Sequence, residues 1–164
     1  MKIVTVHWRW QIAIVIVIAL VLFGYSEIAR ASAWQGIEPF KSRREDVLKI
    51  LGPPVTEGHN GLMTFKVAGG TASISFVDQN FVRTKKLRPE FAGTVLQVIL
   101  QHESSSDTPE SMNLSKQKDF VRDSSRDAVI YRNLKDGIVY TFINGRLRTT
   151  RYTFSESQIG RARH

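Results

Sequence analysis

Gly36-Ile-Glu-Pro-Phe-Lys-Ser-Arg-Arg-Glu-Asp-Val-Leu-Lys-Ile-Leu-Gly-Pro-Pro54 reads as one short helix with punctuation at both ends. Ser42 and Glu45 stand in the spacing of a reciprocal capping box, which satisfies two orphan backbone donors. Val47, Leu48 and Leu51 then form a narrow apolar stripe. Gly52 supplies a left-handed closure, and Pro53 and Pro54 forbid continuation. A helix of about ten residues is marginal alone, so its stripe must dock on something, and the chain beyond Pro54 is a series of strand patterns. The expected fold is α+β: a short capped helix, or helices, packed on one face of a mostly antiparallel β-sheet.

Upstream of this stretch the chain looks like an export or anchoring segment. Lys2 and Arg9 precede an unbroken apolar run from Ile12 to Phe23, and Ala31-Ser32-Ala33 is a small-x-small cleavage pattern. The 17 uncharged residues from Trp10 to Ser26 also fit a short membrane span, with Trp8, Trp10 and Tyr25 as interfacial anchors. Residues 1–33 are therefore expected to be either a signal peptide cleaved after Ala33 or a retained N-terminal transmembrane helix. Both readings keep the N-terminus inside and place residues 34–164 outside the cytoplasm, periplasmic or secreted. Without Lys2, Arg9, Arg30 and Glu27, that part carries 20 basic and 14 acidic residues, a net charge of +6. It is long enough to bury a core unaided, and the absence of cysteine excludes disulfides and thiolate metal sites.

Downstream, Met63, Phe65 and Val67 alternate with polar neighbours, as do Ala72, Ile74 and Phe76. Ala68-Gly69-Gly70 joins them into a hairpin with one buried face. Phe81 to Leu87 reads as a basic edge strand or a solvated loop. Thr94 to Gln101 is apolar on both faces and reads as a central strand. His102 to Ser111 is a polar loop, and Ser115 to Val121 suggests one helical turn. Ala128 to Arg132 is a short strand. Asn144-Gly145 sits between Ile138–Ile143 and Arg146–Phe154, where a type I′ turn would pair Ile143 with Arg146, Phe142 with Leu147 and Tyr140 with Thr149. Residues 34–154 are expected to form one α+β domain, and 155–164 a frayed tail.

A Ser-capped helix ending in Leu-Gly-x-Pro before β-strands resembles the SmpA/OmlA (BamE-like) domain, itself similar to the β-lactamase-inhibitor-protein fold. Ser42, Glu45, Val47, Leu51, Gly52 and Pro54 carry the match, with weaker support from Tyr140 to Leu147. The resemblance implies a small extracytoplasmic domain that binds protein partners and catalyses nothing. There is no lipobox cysteine, so the lipid attachment of that family is not expected here.

The residues offer little chemistry. Glu45 and Asp46 are helical neighbours pointing about 100° apart, and negative charge in a first turn favours the helix dipole. His59 and His102 lack the spacing of a metal pair. No Gly-x-Ser-x-Gly elbow and no phosphate loop is present. No catalytic, cofactor-binding or metal site is expected, and the chain is not read as an enzyme.

Basic clusters carry more content. Lys41, Arg43, Arg44 and Lys49 surround the helix, Arg83, Lys85, Lys86 and Arg88 form a second run, and Arg146, Arg148 and Arg151 lie on the last hairpin. The primary expectation is a non-catalytic protein-binding or envelope-assembly module with an unknown envelope partner, anchored through Trp34, Phe40 and Phe91. The alternative is an electrostatic binder of an anionic membrane surface or envelope polyanions through Arg83, Lys85, Lys86, Arg88, Arg146 and Arg148. Nucleic acid is not an expected partner, because the basic runs lack interleaved aromatics.

Overall fold

A computed structural model of the chain describes residues 33–163. The apolar segment read as signal peptide or anchor lies, but for Ala33, outside the described residues. Among those described, no helix is long and apolar enough to cross a membrane.

The described part is α+β, built on one eight-stranded antiparallel sheet with three short helices. The strands are β1 (Thr56–Glu57), β2 (Met63–Val67), β3 (Gly70–Phe76), β4 (Val95–His102), β5 (Val121–Ser125), β6 (Ala128–Asn133), β7 (Ile138–Ile143) and β8 (Arg146–Thr153). The helices are α1 (Arg44–Leu51), α2 (Gln79–Lys85) and α3 (Glu156–Ala162). The order β1-β2-β3-β4-β8-β7-β6-β5 describes two four-stranded meanders joined where β4 pairs with β8. One end of the sheet, the turn end, carries the turns at Ala68–Gly69 and Asn144–Gly145 and the loop after His102. The opposite end, the helix end, carries α2 and α3.

The sheet has one covered face. Met63, Phe65, Ala72, Ile74, Val98 and Leu100 pack under Ile37 and Val47, with Leu48 and Leu51 half-buried beside them. The second meander buries Tyr131, Phe142 and Leu147 under Leu114, with Met112 and Phe120 alongside, so the long connection before β5 does for this half what α1 does for the first. A third cluster caps the helix end, where Phe40, Val77, Val82, Leu87 and Ala162 pack with Phe81, Phe91, Phe154 and Ile159.

Several sequence expectations are corrected. Helix α1 starts one residue late: Arg43 is the N-cap, and its own N–H donates to Asp46 Oδ2 at 2.8 Å. Ser42 is instead buried and accepts from the Glu38 N–H at 2.9 Å, while its carbonyl takes the Val95 N–H at 2.7 Å. Glu45 is thus an exposed first-turn acid and not half of a box. Val47 is the fully buried member of the stripe, and Leu51 lies at its margin. Gly52 ends the helix at φ 75°, ψ −159°, a positive φ but outside the left-handed helical region.

Phe81 to Leu87 is neither strand nor loop. Asp78 caps α2 by accepting from the Phe81 N–H at 2.6 Å, and Val82 turns into the core while the cations face water. The expected helical turn near Ser115 is a 3₁₀ turn at Leu114–Lys116, and Val121 begins an exposed edge strand, β5, that no alternation of apolar residues announces. The tail does not fray at 155. Ser155 and Gln158 form a reciprocal capping box at 2.7 and 3.2 Å, and Gln158 Nε2 donates to the Pro39 carbonyl at 3.0 Å. Ala162 is fully buried.

Asn144 (φ 51°) and Gly145 (φ 73°) make the expected turn, and Ile143–Arg146 and Phe142–Leu147 pair as predicted. A bulge then shifts the register, so Tyr140 pairs with Thr150 and not Thr149. One extra residue exchanges the faces of everything beyond it. Thr150 is consequently buried, while Thr149 and Arg151 lie on the other side of the sheet.

Candidate functional site

The second face of the sheet is open: none of its residues is fully buried. The register lays it out in rows across the strands. One row runs Thr64, Ser73, Ile99, Arg151, Val139, Arg132, Val121. The next runs Lys66, Thr71, Gln101, Thr149, Thr141, Ile130, Asp123. Strands in a ladder stand about 4.8 Å apart, so neighbours in a row are in side-chain reach.

The two halves of this face differ. The first meander presents hydroxyls and amides, with Thr64 and Ser73 linked at 3.5 Å. The second, with Ile99 of β4 beside it at the seam, presents aliphatic side chains separated by arginines: Arg151, Val139, Arg132, Val121. Arg132 is ion-paired to Asp123 on the adjoining strand. Past Arg132 the face falls into a shallow groove of about 280 Å³ lined by Asp119, Val121, Asp123, Arg132, Leu134 and Lys135. Val121 is 64% exposed and Leu134 53%. Lys135 lies 4.0 Å from Asp119. Exposed aliphatics within a rim of charged pairs have the pattern of a recognition surface, where an apolar centre is dried by a polar border. Arg151, with no ion pair among the described residues, offers a planar donor fork suited to a partner carboxylate.

The residues singled out from sequence lie elsewhere. Phe40 is 7% exposed and stacks on Phe154 with centroids 4.7 Å apart. Phe91 leans on Phe40 at 5.5 Å, and Arg88 lies over its ring. Trp34 is half-buried against the first core cluster. Phe40 is thus a core residue, and Trp34 and Phe91 are half-buried at the margins of the core clusters. Their position outside the strand patterns does not make them free, because the segments carrying them fold over the end of the sheet.

The basic clusters do not meet on one face. Arg146 donates to the Ser106 carbonyl at 2.6 Å and Arg148 to the Glu103 carbonyl at 3.5 Å, which ties both to the loop at the turn end. Arg83, Lys85, Lys86 and Arg88 stand at the helix end. Arg43 binds the Ala92 and Glu90 carbonyls at 3.1 and 2.8 Å, and Arg44 holds Glu57 in a fork at 2.6 and 2.7 Å. That pair raises the Arg44 pKa and lowers that of Glu57.

His102 stands on the covered face at the turn end, its Nε2 2.9 Å from Thr150 Oγ1. Burial pushes the imidazole below its ordinary value, and Asp107 draws it partly back. A base depressed in the fold binds more protons when unfolded. Its contribution is present above the unfolded value of about 6.5 and lost as pH falls through the lowered folded value. Melting temperature is therefore expected to drop as pH falls from about 7.5 to 5, and His102→Gln should flatten part of that drop. An identical slope in the variant would remove His102 from the account.

No protein-family model matches the chain, and no curated protein matches it either. Among solved structures it is similar to a DUF4309 family protein, YjgB, from Bacillus subtilis subsp. subtilis str. 168. Identity is 16% over 73% of this chain and 82% of that one, with a TM-score of 0.46. A likeness at that level assigns neither family nor activity. The expected SmpA/OmlA (BamE-like) resemblance is overturned: no family model matches the chain. The capping half of the motif behind it does not hold, since Ser42 and Glu45 are not a cap pair, although the helix does close at Leu51 and Gly52.

Proposed function

We propose that the domain is an exported, non-catalytic protein-recognition module of the cell envelope, and that it receives its partner on the open face of the sheet. The observation that supports this is the alternating stripe Ile99, Arg151, Val139, Arg132, Val121, left uncovered beside exposed Leu134. In a folded chain such aliphatics gain by leaving water at about 25 cal/mol per Å², and the helices and connections cover only the other face. The partner best suited to it carries an apolar surface with a carboxylate placed for Arg151. An electrostatic reading through all three basic clusters is less well supported, because Arg146 and Arg148 are held at the end opposite Arg83 to Arg88.

A photo-crosslinking residue placed at Val139 or Ile130, and for comparison at Lys49 on α1, tests the assignment in the cells that make the protein. One partner species should be trapped from the two face positions and not from Lys49. Arg151→Glu combined with Val121→Asp should weaken binding of that species by at least about tenfold without lowering the melting temperature. Equal trapping from Lys49, or binding indifferent to the double variant, would overturn the proposal.

A further inference from the structure

The corrected C-terminus assembles a surface that no single stretch of sequence displays. The Arg88 N–H donates to the Ala162 carbonyl at 2.9 Å, and Arg163 Nε donates to the Lys85 carbonyl at 3.1 Å. These two bonds set the C-terminal ends of α2 and α3 side by side. Arg83, Lys85, Lys86 and Arg88 thereby gain Arg161 and Arg163 as neighbours, and all six side chains are exposed. Arg88 pairs with Glu90 at 3.1 Å, but none of the other five has an ion pair among the described residues.

Some of this charge answers the helix dipoles. Each helix C-terminus presents about half a negative charge, and a cation or two in the last turn compensates it. Six cations for two short helices exceed that need. Holding like charges together costs free energy unless an external anion is present. The arrangement also speaks to the kind of anion. The cations stand on two helix ends and the turn between α2 and the Pro89–Phe91 segment, all of them exposed. A single phosphate is met by one or two such groups, whereas closely spaced headgroups can meet several at once. Half-buried Phe81 and Phe91 lie behind them, where aromatic rings suit the headgroup boundary.

We propose that the helix end is a docking surface for an anionic lipid bilayer, engaged through Arg83, Lys85, Lys86, Arg88, Arg161 and Arg163. This surface is separate from the open sheet face, so either assignment can fail without the other. Contact is electrostatic and reversible, weakens with salt, and presents the domain end-on to the membrane. The sheet faces then stand away from the lipid.

The chain has no cysteine, so one introduced thiol can report position uniquely. The full chain carrying Thr84→Cys on α2, labelled with a fluorophore, is mixed with vesicles containing a headgroup-attached quencher. Quenching is expected in phosphatidylcholine vesicles with about a third phosphatidylglycerol. It should be absent in phosphatidylcholine alone and at least about fivefold weaker in 0.5 M salt. A label at Asn144→Cys, on the turn end, should not be quenched above its level in neutral vesicles. Arg83→Gln, Lys85→Gln, Lys86→Gln and Arg161→Gln together should abolish the Thr84 signal with melting temperature unchanged. Removing as many cations elsewhere, at Lys49, Lys116, Lys118 and Arg122, should leave it intact. Equal quenching in neutral and anionic vesicles, loss of signal in both variants alike, or capture of the protein by soluble polyphosphate with no response to vesicles would each overturn the proposal.

Discussion

Phe40→Ala is expected to lower stability by about 3–5 kcal/mol, the cost of removing a large ring from a packed interior. Phe40 stacks on Phe154 at an interplanar angle of 17° and meets Phe81 edge-on at 6.4 Å. Its backbone is fixed as tightly as its ring: φ is 62°, and its N–H donates to the Val95 carbonyl at 2.7 Å. The neighbours cannot collapse into the space, because Phe81 and Phe91 are held by helical segments and Phe154 by the end of β8. Helix α3 rests on the same cluster through Ile159 and Ala162. Denaturant unfolding should show the loss, and amides of 156–162 should exchange faster well before global unfolding. An exposed partner anchor would behave in the opposite way, leaving stability intact and binding impaired. A loss under about 1 kcal/mol would mean that the cluster does not hold the helix end together.

Phe40 also marks the limit of what the sequence makes readable. Alternation in Met63–Val67 and Thr71–Phe76, the Asn-Gly turn and the apolar β4 are local signals, and the strands they indicate are present. What depends on a single residue of offset is not legible. Shifting the cap from Ser42 to Arg43 turns a supposed helix signal into a local hydrogen bond that closes the turn from Glu38. The bulge in β8 moves Thr150 inside and Arg151 out, and with Arg151 goes the stripe that makes the open face distinctive. Val121, Val139 and Ile99 look like ordinary strand residues until the register puts them in one row, with Leu134 in the groove beyond its end. Two further elements do leave traces. Asp78 three residues before Phe81 is a cap signal for α2, and Ser155 with Gln158 is a capping box ahead of Ile159 and Ala162. The charge run from Arg83 to Arg88 hides the first, and position near the end of the chain hides the second.

Two glycines at positive φ separate conformational strain from obstruction. Gly145 (φ 73°) and Gly137 (φ 70°) have nearly the same backbone angle, so an alanine at either incurs the same left-handed penalty of about 1–2 kcal/mol. Their surroundings differ. A Cβ at Gly145 would meet nothing within 4 Å, whereas at Gly137 it would lie 2.1 Å from the Thr153 carbonyl oxygen. That oxygen belongs to backbone, and the Thr153 N–H donates to the Gly137 carbonyl at 2.8 Å. Relief therefore requires β7 and β8 to part at the helix end, next to where Phe154 enters the aromatic cluster. Gly145→Ala is expected to cost about 1–2 kcal/mol, and Gly137→Ala at least about 3 kcal/mol. Asparagine extends the comparison, since it tolerates the left-handed region. Gly145→Asn should recover most of the loss seen with alanine, while Gly137→Asn should recover none. Equal losses for the two alanine variants in denaturant unfolding would show that the β7–β8 ladder yields at Thr153, and that the helix end is held by its aromatic cluster more than by the strand pair beneath it.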